Sequence, residues 1–523
     1  MIPVDAGAFP RHSLTRMAGL FKSCDVRGVY GADLTDGAAR RIGNAFAAWL
    51  RDMGMPSILV GGDVRVSTPA LKKSLIEGLV EGGADVVDVG IVPTPVLHFA
   101  DRTRDSDAAL MVTASHNPPE FNGIKFSRLQ WPLLPEDLAA VERLTGDDLT
   151  LHSAGAVEVL NPLEEYQSWI LGEFAGKLPA MRVVVDAGGG CWSGLASRYL
   201  KQMGLEVIAL GDTPDGHFRR RPSNSSSAAA LRDLRSAVVR ERAALGIAFD
   251  GDGDRVNFID ETGVFVEPDV IGVLLMRHAL AGGSRRDAAA PTTERPWAAR
   301  TGFDSPSRET LSPDRMLVSG KTRVGDALRD PLREAIIYDI KCSRAVPEEV
   351  VRLGGNPVRE RTGYTFLRHR MRCLDAPFGV EMGGHYYWRE LIGCDDGLYT
   401  ALRLLTALKD RPSKDRSLSH AAASVEQHPA TPELRIPCAW DRHRAVCEFL
   451  AATFSGDANV DRLDGVLLEF ESAWALVRPS VTEPMLTIRF EGRTEEDLED
   501  VIELVSEQLP ADVAAAVREA AGD

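Results

Sequence analysis

Asp250, Asp252 and Asp254 occupy alternate positions in the run Leu245-Gly246-Ile247-Ala248-Phe249-Asp250-Gly251-Asp252-Gly253-Asp254-Arg255. When such a loop curls, its carboxylates converge, and at about 4 Å each pair repels by roughly 4 kcal/mol at an effective dielectric near 20. A bound cation removes that cost. Hard oxygen ligands select Mg²⁺ or Ca²⁺, and three carboxylates leave room for phosphoryl oxygen, as Mg²⁺ sites for phosphate chemistry do. The spacing also touches the EF-hand pattern through Asp250, Asp252, Asp254 and Glu261. Arg255 stands where that pattern requires glycine, however, and both flanks read as strands rather than helices. A solvated acidic turn is the plainer alternative, but Arg255 next to the loop suits a phosphoryl group better.

Three more loops offer chemistry. Met111-Val112-Thr113-Ala114-Ser115-His116-Asn117-Pro118-Pro119 sets a serine after an apolar run and before two prolines, which remove donors and fix the backbone. Ser115 is therefore expected on a rigid, exposed loop. Ordinary turn chemistry explains the same residues, and a G-x-S-x-G elbow is absent, which counts against a serine hydrolase. Gly379-Val380-Glu381-Met382-Gly383-Gly384-His385 places a carboxylate and an imidazole on a glycine-rich turn, able to accept from sugar hydroxyls and to move a proton. Taken alone, it reads as a solvated polar turn. Arg478-Pro479-Ser480-Val481-Thr482-Glu483-Pro484 joins an Arg, two hydroxyls and successive N–H groups, the inventory of an anion nest or of a surface turn.

These loops need a scaffold. Ser57 to Asp63, Met181 to Gly188 and Ala335 to Asp339 are β-branched runs too short for helices that end in Gly or Asp. Apolar residues at Ile42, Phe46, Leu50 and Met53 predict a helix over 39–53, and a second helix is predicted over 71–80. Alternating strands and helices imply α/β domains. A chain of 523 residues exceeds one core and divides into three or four units. From about 282 to 313 periodicity dissolves into Gly, Ser, Pro, Arg and Ala, the mark of a flexible insertion. Gln427 to Pro437, with three prolines, reads as a linker before a last domain.

A formal charge of −16 argues against a nucleic-acid coat yet leaves room for a locally positive sugar-phosphate site. Seven cysteines without a CxxC pair point to neither a disulfide framework nor a zinc ribbon and fit a reducing compartment. No run has the length of a membrane span or signal segment. The expectation is a cytoplasmic protein with no membrane or nucleic-acid partner, its oligomeric state left open.

In this order the four loops resemble the α-D-phosphohexomutase superfamily, in particular its bacterial phosphomannomutase/phosphoglucomutase branch. Thr113 to Pro118 is similar to the family's T-A-S-H-N-P, Asp250 to Arg255 to D-G-D-G-D-R, and Arg478 to Pro484 to R-x-S-x-T-E-P. Cys24 to Gly28, Gly90 to Pro95, Asn122 to Lys125 and Asp339 to Arg344 resemble further family segments.

The resemblance implies four domains around a central cleft, three similar α/β domains and a smaller C-terminal α+β domain. Their expected limits are 1–160, 161–262, 263–428 and 429–523. It implies an enzyme that interconverts hexose 1-phosphate and hexose 6-phosphate, of mannose, glucose or both. A phosphoserine at Ser115 and a hexose 1,6-bisphosphate, which also serves as activator, carry the phosphoryl group. Mg²⁺ would be held by Asp250, Asp252, Asp254 and the Ser115 group. Arg27, His116, Lys125 and His385 would assist proton transfer and charge neutralisation. Arg255, Lys341, Glu381 and Gly383 would line the sugar cleft, and Arg478, Ser480, Val481 and Thr482 the phosphate site.

The chain also departs from the family pattern. Val380 and Gly383 replace a glycine and a serine of the sugar loop, Val481 stands where Asn or Gly is usual, Cys24 replaces a tyrosine and Tyr364 a histidine. Phosphoglucosamine mutase and a sugar-phosphate-binding protein without turnover are the alternative readings.

Overall fold

The computed structural model describes residues 19–104, 106–146, 155–281, 334–480 and 484–522. The expected insertion near 282–313 lies outside the described residues, as do Val481 and Thr482. The chain forms two compact units, one running to Phe265 and including Cys394–Leu402, the other made of Val266–Gly393 and Arg403–Asp523.

The first unit contains two sheets. In one, Val26–Val29, Phe121–Arg128, Ala108–Val112, Ser57–Gly62, Asp85–Ile91 and Val157–Val159 lie side by side in that order. Ser57–Gly62 is parallel to both neighbours, whereas Phe121–Arg128 returns antiparallel along Ala108–Val112. Parallel strands buried on both faces need continuous apolar runs, which Ser57–Gly62 and Ala108–Val112 supply. The covering helix Asp36–Arg51 starts before the apolar periodicity, because Thr35 caps it by accepting from the Ala38 N–H. It buries Ile42, Phe46 and Leu50, while Met53, expected on this helix, falls just past its end. The second helix also begins earlier than its pattern, at Thr68, where Pro69 suits the first turn.

In the other sheet the order is Val256–Asp260, Leu245–Phe249, Arg182–Asp186 and Glu206–Leu210. Leu245–Phe249 is parallel to Arg182–Asp186 and antiparallel to Val256–Asp260.

The second unit repeats this pattern. Ala335–Asp339 runs parallel to Phe378–Glu381, which pairs antiparallel with His385–Trp388. Its remaining sheet is antiparallel, in the order Leu434–Pro437, Met485–Gly492, Ala473–Pro479, Val466–Glu469 and Asn459–Asp461. Helices Trp440–Thr453, Glu495–Ser506 and Ala511–Gly522 pack on it, which makes this part α+β. The end of the expected linker is thus an edge strand rather than a loop, where Pro437 is tolerated because its missing N–H faces no further strand.

A triplet of strands therefore occurs three times: a first strand closed by an aspartate, a parallel second, and an antiparallel third. Each time the turn between second and third carries one of the candidate loops, at the carboxyl end of a parallel strand, where α/β sheets bind ligands.

Candidate active site

Ser115 takes a left-handed backbone, φ 47°, which costs a non-glycine residue unless its surroundings impose it. Here they do. Thr113 Oγ1 accepts from the Ser115 N–H at 2.9 Å and donates to Asp63 Oδ2 at 2.7 Å. Arg65, 1% exposed, donates through Nη2 to the carbonyls of Ser115 (2.8 Å) and Asn117 (2.7 Å). Its Nη1 reaches those of Pro118 (2.6 Å) and Phe121 (3.0 Å), and its Nε reaches Asp63 (3.1 Å). The expectation of an exposed serine is corrected: Ser115 is 2% exposed. The aspartate loop lies against it, so close that a Cβ on Gly251 would stand 2.6 Å from the Ser115 carbonyl oxygen. His116 follows in the same turn, half-buried. Arg27 donates to Asn117 Oδ1 at 2.5 Å and pairs with Asp25.

All three loop aspartates are buried, at 1%, 0% and 2% exposure, and one oxygen of each lies within 4.8 Å of the others. Ser115 Oγ donates to Asp250 Oδ2 at 2.7 Å. Lys125 Nζ, from the strand Phe121–Arg128, donates to Asp252 (2.9 Å) and Asp254 (2.5 Å). Arg255 Nε stands 3.8 Å from Asp250. Burial, with repulsion from Asp252 and Asp254, pushes the Asp250 carboxyl up to about 8. Burial would raise Asp252 as well, but Lys125 and the Thr94 hydroxyl outweigh it and hold that carboxyl well below the usual range. Asp252 Oδ1 is buried with no hydrogen-bond partner. Three converging carboxylates, one of which keeps an unsatisfied oxygen, have the donor set for a hard divalent cation. Gly253, φ 80°, turns the loop where a Cβ would strike Trp192, whose Nε1 donates to the Gly253 carbonyl at 2.8 Å.

In the second unit the two polar side chains that flank the turn after Phe378–Glu381 are buried, whereas Met382 and Gly383 in the turn are half-buried. Glu381 is 5% exposed and accepts from Tyr387 at 3.0 Å, and His385, 3% exposed, faces it across the strand pair and stacks on Tyr387. Val380 points to the opposite face and packs where a Cβ on Gly272 would collide with it. That departure therefore concerns the core, while Gly383 sits in the turn itself. Asp339 accepts from Thr362 (2.6 Å), from the Lys341 N–H (3.2 Å) and from the Met382 N–H (3.4 Å). Lys341 Nζ pairs with Glu433 at 3.1 Å; burial would lower its pKa, but Asp339 and Glu433 raise it, so the ammonium form is held. Arg478 pairs with Asp464 at 2.7 Å, and Ser480 donates its N–H to Met485.

Sequence reasoning missed the residues that hold these loops. Asp63, Asp186 and Asp339 close the first strand of each triplet and are essentially buried. Asp63 orients Arg65 under the serine loop. Asp186 pairs with Arg221 (3.0 Å), which also donates to the Phe249 carbonyl at the root of the aspartate loop (2.5 Å). Asp339 holds the Met382 N–H in the turn. Thr94 was also missed: its Oγ1 donates to Asp252 Oδ2 at 2.8 Å and its N–H to the Asp252 carbonyl at 2.9 Å. The recurrent terminal aspartate was the available signal.

Four family models match the chain: phosphoglucomutase/phosphomannomutase alpha/beta/alpha domains I (residues 18–148), II (166–263) and III (318–428), and the C-terminal domain (441–508). A phosphomannomutase/phosphoglucomutase of Pseudomonas aeruginosa is 34% identical over 95% of this chain and 96% of its own length. A phosphoglucomutase of Neisseria meningitidis is 31% identical over 92% of this chain and 95% of its own. The crystal structure of a phosphoglucomutase/phosphomannomutase family protein from Burkholderia thailandensis aligns with a TM-score of 0.77 at 29% identity, covering 96% and 97% of the two chains. With its four matched domains, its near full-length relatives and its repeated loop-bearing strand triplets, the chain belongs to the phosphoglucomutase/phosphomannomutase family.

Proposed function

We propose that this hexose phosphate mutase works through a phosphoserine at Ser115 and acts on mannose and glucose monophosphates. The observation that carries the reading is Ser115 Oγ at 2.7 Å from Asp250 Oδ2, within the buried aspartate cluster. In the first half-reaction the P–O bond to Ser115 breaks and a P–O bond forms to the free hydroxyl of the hexose monophosphate. The hydroxyl proton leaves to a base, for which His385 is the candidate. The resulting hexose 1,6-bisphosphate turns over, and its other phosphoryl group returns to Ser115 Oγ. The same bisphosphate, supplied in trace, phosphorylates the resting enzyme.

Phosphoryl transfer depends on positioning and on neutralised charge. Arg27, His116, Lys125 and Arg255 supply positive charge or donors around Ser115. Asp250, Asp252 and Asp254 would hold Mg²⁺, which when bound neutralises phosphoryl oxygen. Lys341, Glu381 and Gly383 are assigned to the sugar, and Arg478, Ser480, Val481 and Thr482 to the phosphate that is not being transferred.

The test is a coupled assay with Mg²⁺, a trace of glucose 1,6-bisphosphate, and glucose 1-phosphate, mannose 1-phosphate or glucosamine 1-phosphate in turn. Turnover of the first two, dependent on both additions, is expected. Turnover of the amino sugar alone would replace this substrate assignment, and no turnover of any would leave a binding protein.

A further inference from the structure

Glu348, Glu426 and His428 meet in the second unit and belong to none of the loops above. Glu348 lies in the helix Ala345–Arg352, and the other two lie between the helix Leu418–Ala423 and the edge strand Leu434–Pro437. One ligand atom of each falls within 4.8 Å of the others. The His428 side chain is only 3% exposed, and its Nε2 is buried with no hydrogen-bond partner, 3.4 Å from Glu348 Oε2. A hydrogen bond wants a shorter and better aligned approach. Two ligand atoms on one cation, with bonds of about 2.0–2.1 Å at tetrahedral angles, stand roughly 3.3 Å apart. Glu348 is already oriented for this: Arg493 Nη2 donates to its Oε1 at 2.7 Å, which leaves Oε2 to face the imidazole.

We propose that Glu348 Oε2, Glu426 and His428 Nε2 form a second cation site, for a divalent ion of the zinc class. One imidazole and two carboxylates suit such an ion, whereas the all-oxygen aspartate loop suits Mg²⁺. Three protein ligands leave a position for water. The bound ion joins a helix of one α/β sheet to the segment entering the antiparallel sheet, a connection that Arg493 and Glu348 already make by charge, and so stiffens the linker. Nothing in this site depends on the mutase reading.

The full-length protein, held in saturating Mg²⁺, is titrated with Zn²⁺ by calorimetry and with Co²⁺ by visible absorption. One equivalent that Mg²⁺ does not displace is expected, with Co²⁺ ligand-field bands and a Zn²⁺-dependent rise in thermal midpoint. Glu426→Gln, at an exposed position, and His428→Ala should each abolish it, while Asp252→Asn should keep it. Should His428→Ala fail to fold, Glu426→Gln decides. No tight equivalent in the wild type, or one that survives both substitutions, overturns the site; loss in His428→Ala alone marks a single adventitious imidazole contact and overturns it equally.

Discussion

Arg65 Nη2 donates to the main-chain carbonyl of Ser115 at 2.8 Å, and every other N–H of that buried guanidinium is engaged by the same loop or by Asp63. The left-handed serine is thus held from beneath by one side chain fifty residues earlier in the chain. Lys has three donors on a point charge and cannot reproduce that fork. Arg65→Lys is expected to lose at least one charge-assisted hydrogen bond, about 1.5–3 kcal/mol of stability. Turnover should fall more than substrate affinity, because the loop loses its geometry. A fall in kcat at near-constant KM, together with a lowered thermal midpoint, is the check.

Thr94 reaches the aspartate cluster proposed to hold Mg²⁺ through its hydrogen bond to Asp252. Thr94→Val keeps shape but removes the 2.8 Å hydrogen bond. Substitutions of partners behind metal ligands typically cost 10–100-fold in affinity or activity. The Mg²⁺ concentration for half-maximal activity should rise by about that factor, with much of the rate regained at saturating Mg²⁺. An unchanged Mg²⁺ dependence would show that Thr94 only joins the two sheets.

Glu349 sets an acid limit on stability. Burial would raise its pKa, but hydrogen bonds from Arg352 and Arg277 outweigh this and lower it from 4.5 to about 2. A depressed carboxyl stabilises the fold fully above its unfolded pKa, and that contribution is lost as pH falls from about 4.5 toward 2. At about 1.36 kcal/mol per unit the contribution is at most about 3 kcal/mol. Glu349→Gln should therefore lower the thermal midpoint by a constant amount above pH 5.5, and the difference from wild type should shrink on acidification. A difference that does not change with pH would assign the loss to packing.

Gly383 stands where the family's sugar loop has a serine, and the left-handed position in this turn is Gly384, φ 89°. Gly383→Ser is expected to add one neutral hydrogen bond to the sugar, roughly 0.5–1.5 kcal/mol or about two- to twelvefold in affinity. Glucose and mannose differ only at C2, so kcat/KM for both 1-phosphates should rise together. A gain for one sugar alone would make Gly383 a specificity switch.

The chemistry-bearing loops were legible because residue type and local spacing define them: alternate aspartates, a serine before prolines, a carboxylate and imidazole on a tight turn. The strands beneath them were legible from β-branched runs. What supports the loops was not. Arg65 reaches main-chain carbonyls fifty and more residues away, and Thr94 meets Asp252 across 158 residues. Carbonyls leave no trace in a residue pattern, so long-range partners of this kind show only in the fold. The burial of Ser115 escaped for the same reason, since the segment that covers it, around Gly251, is distant in sequence. The outward or inward sense of Val380 depended on the strand face it occupies, which one glycine-rich turn could not fix.

The most direct measurement is where the phosphate sits. The protein is incubated with glucose 1,6-bisphosphate and digested, its phosphopeptides are mapped, and a second sample is chased with glucose 6-phosphate before digestion. The phosphate should lie on the peptide containing Ser115 and vanish on the chase, and Ser115→Ala should carry none and lose almost all turnover. A stable phosphate on another residue, with Ser115→Ala fully active, would contradict a phosphoryl carrier at Ser115.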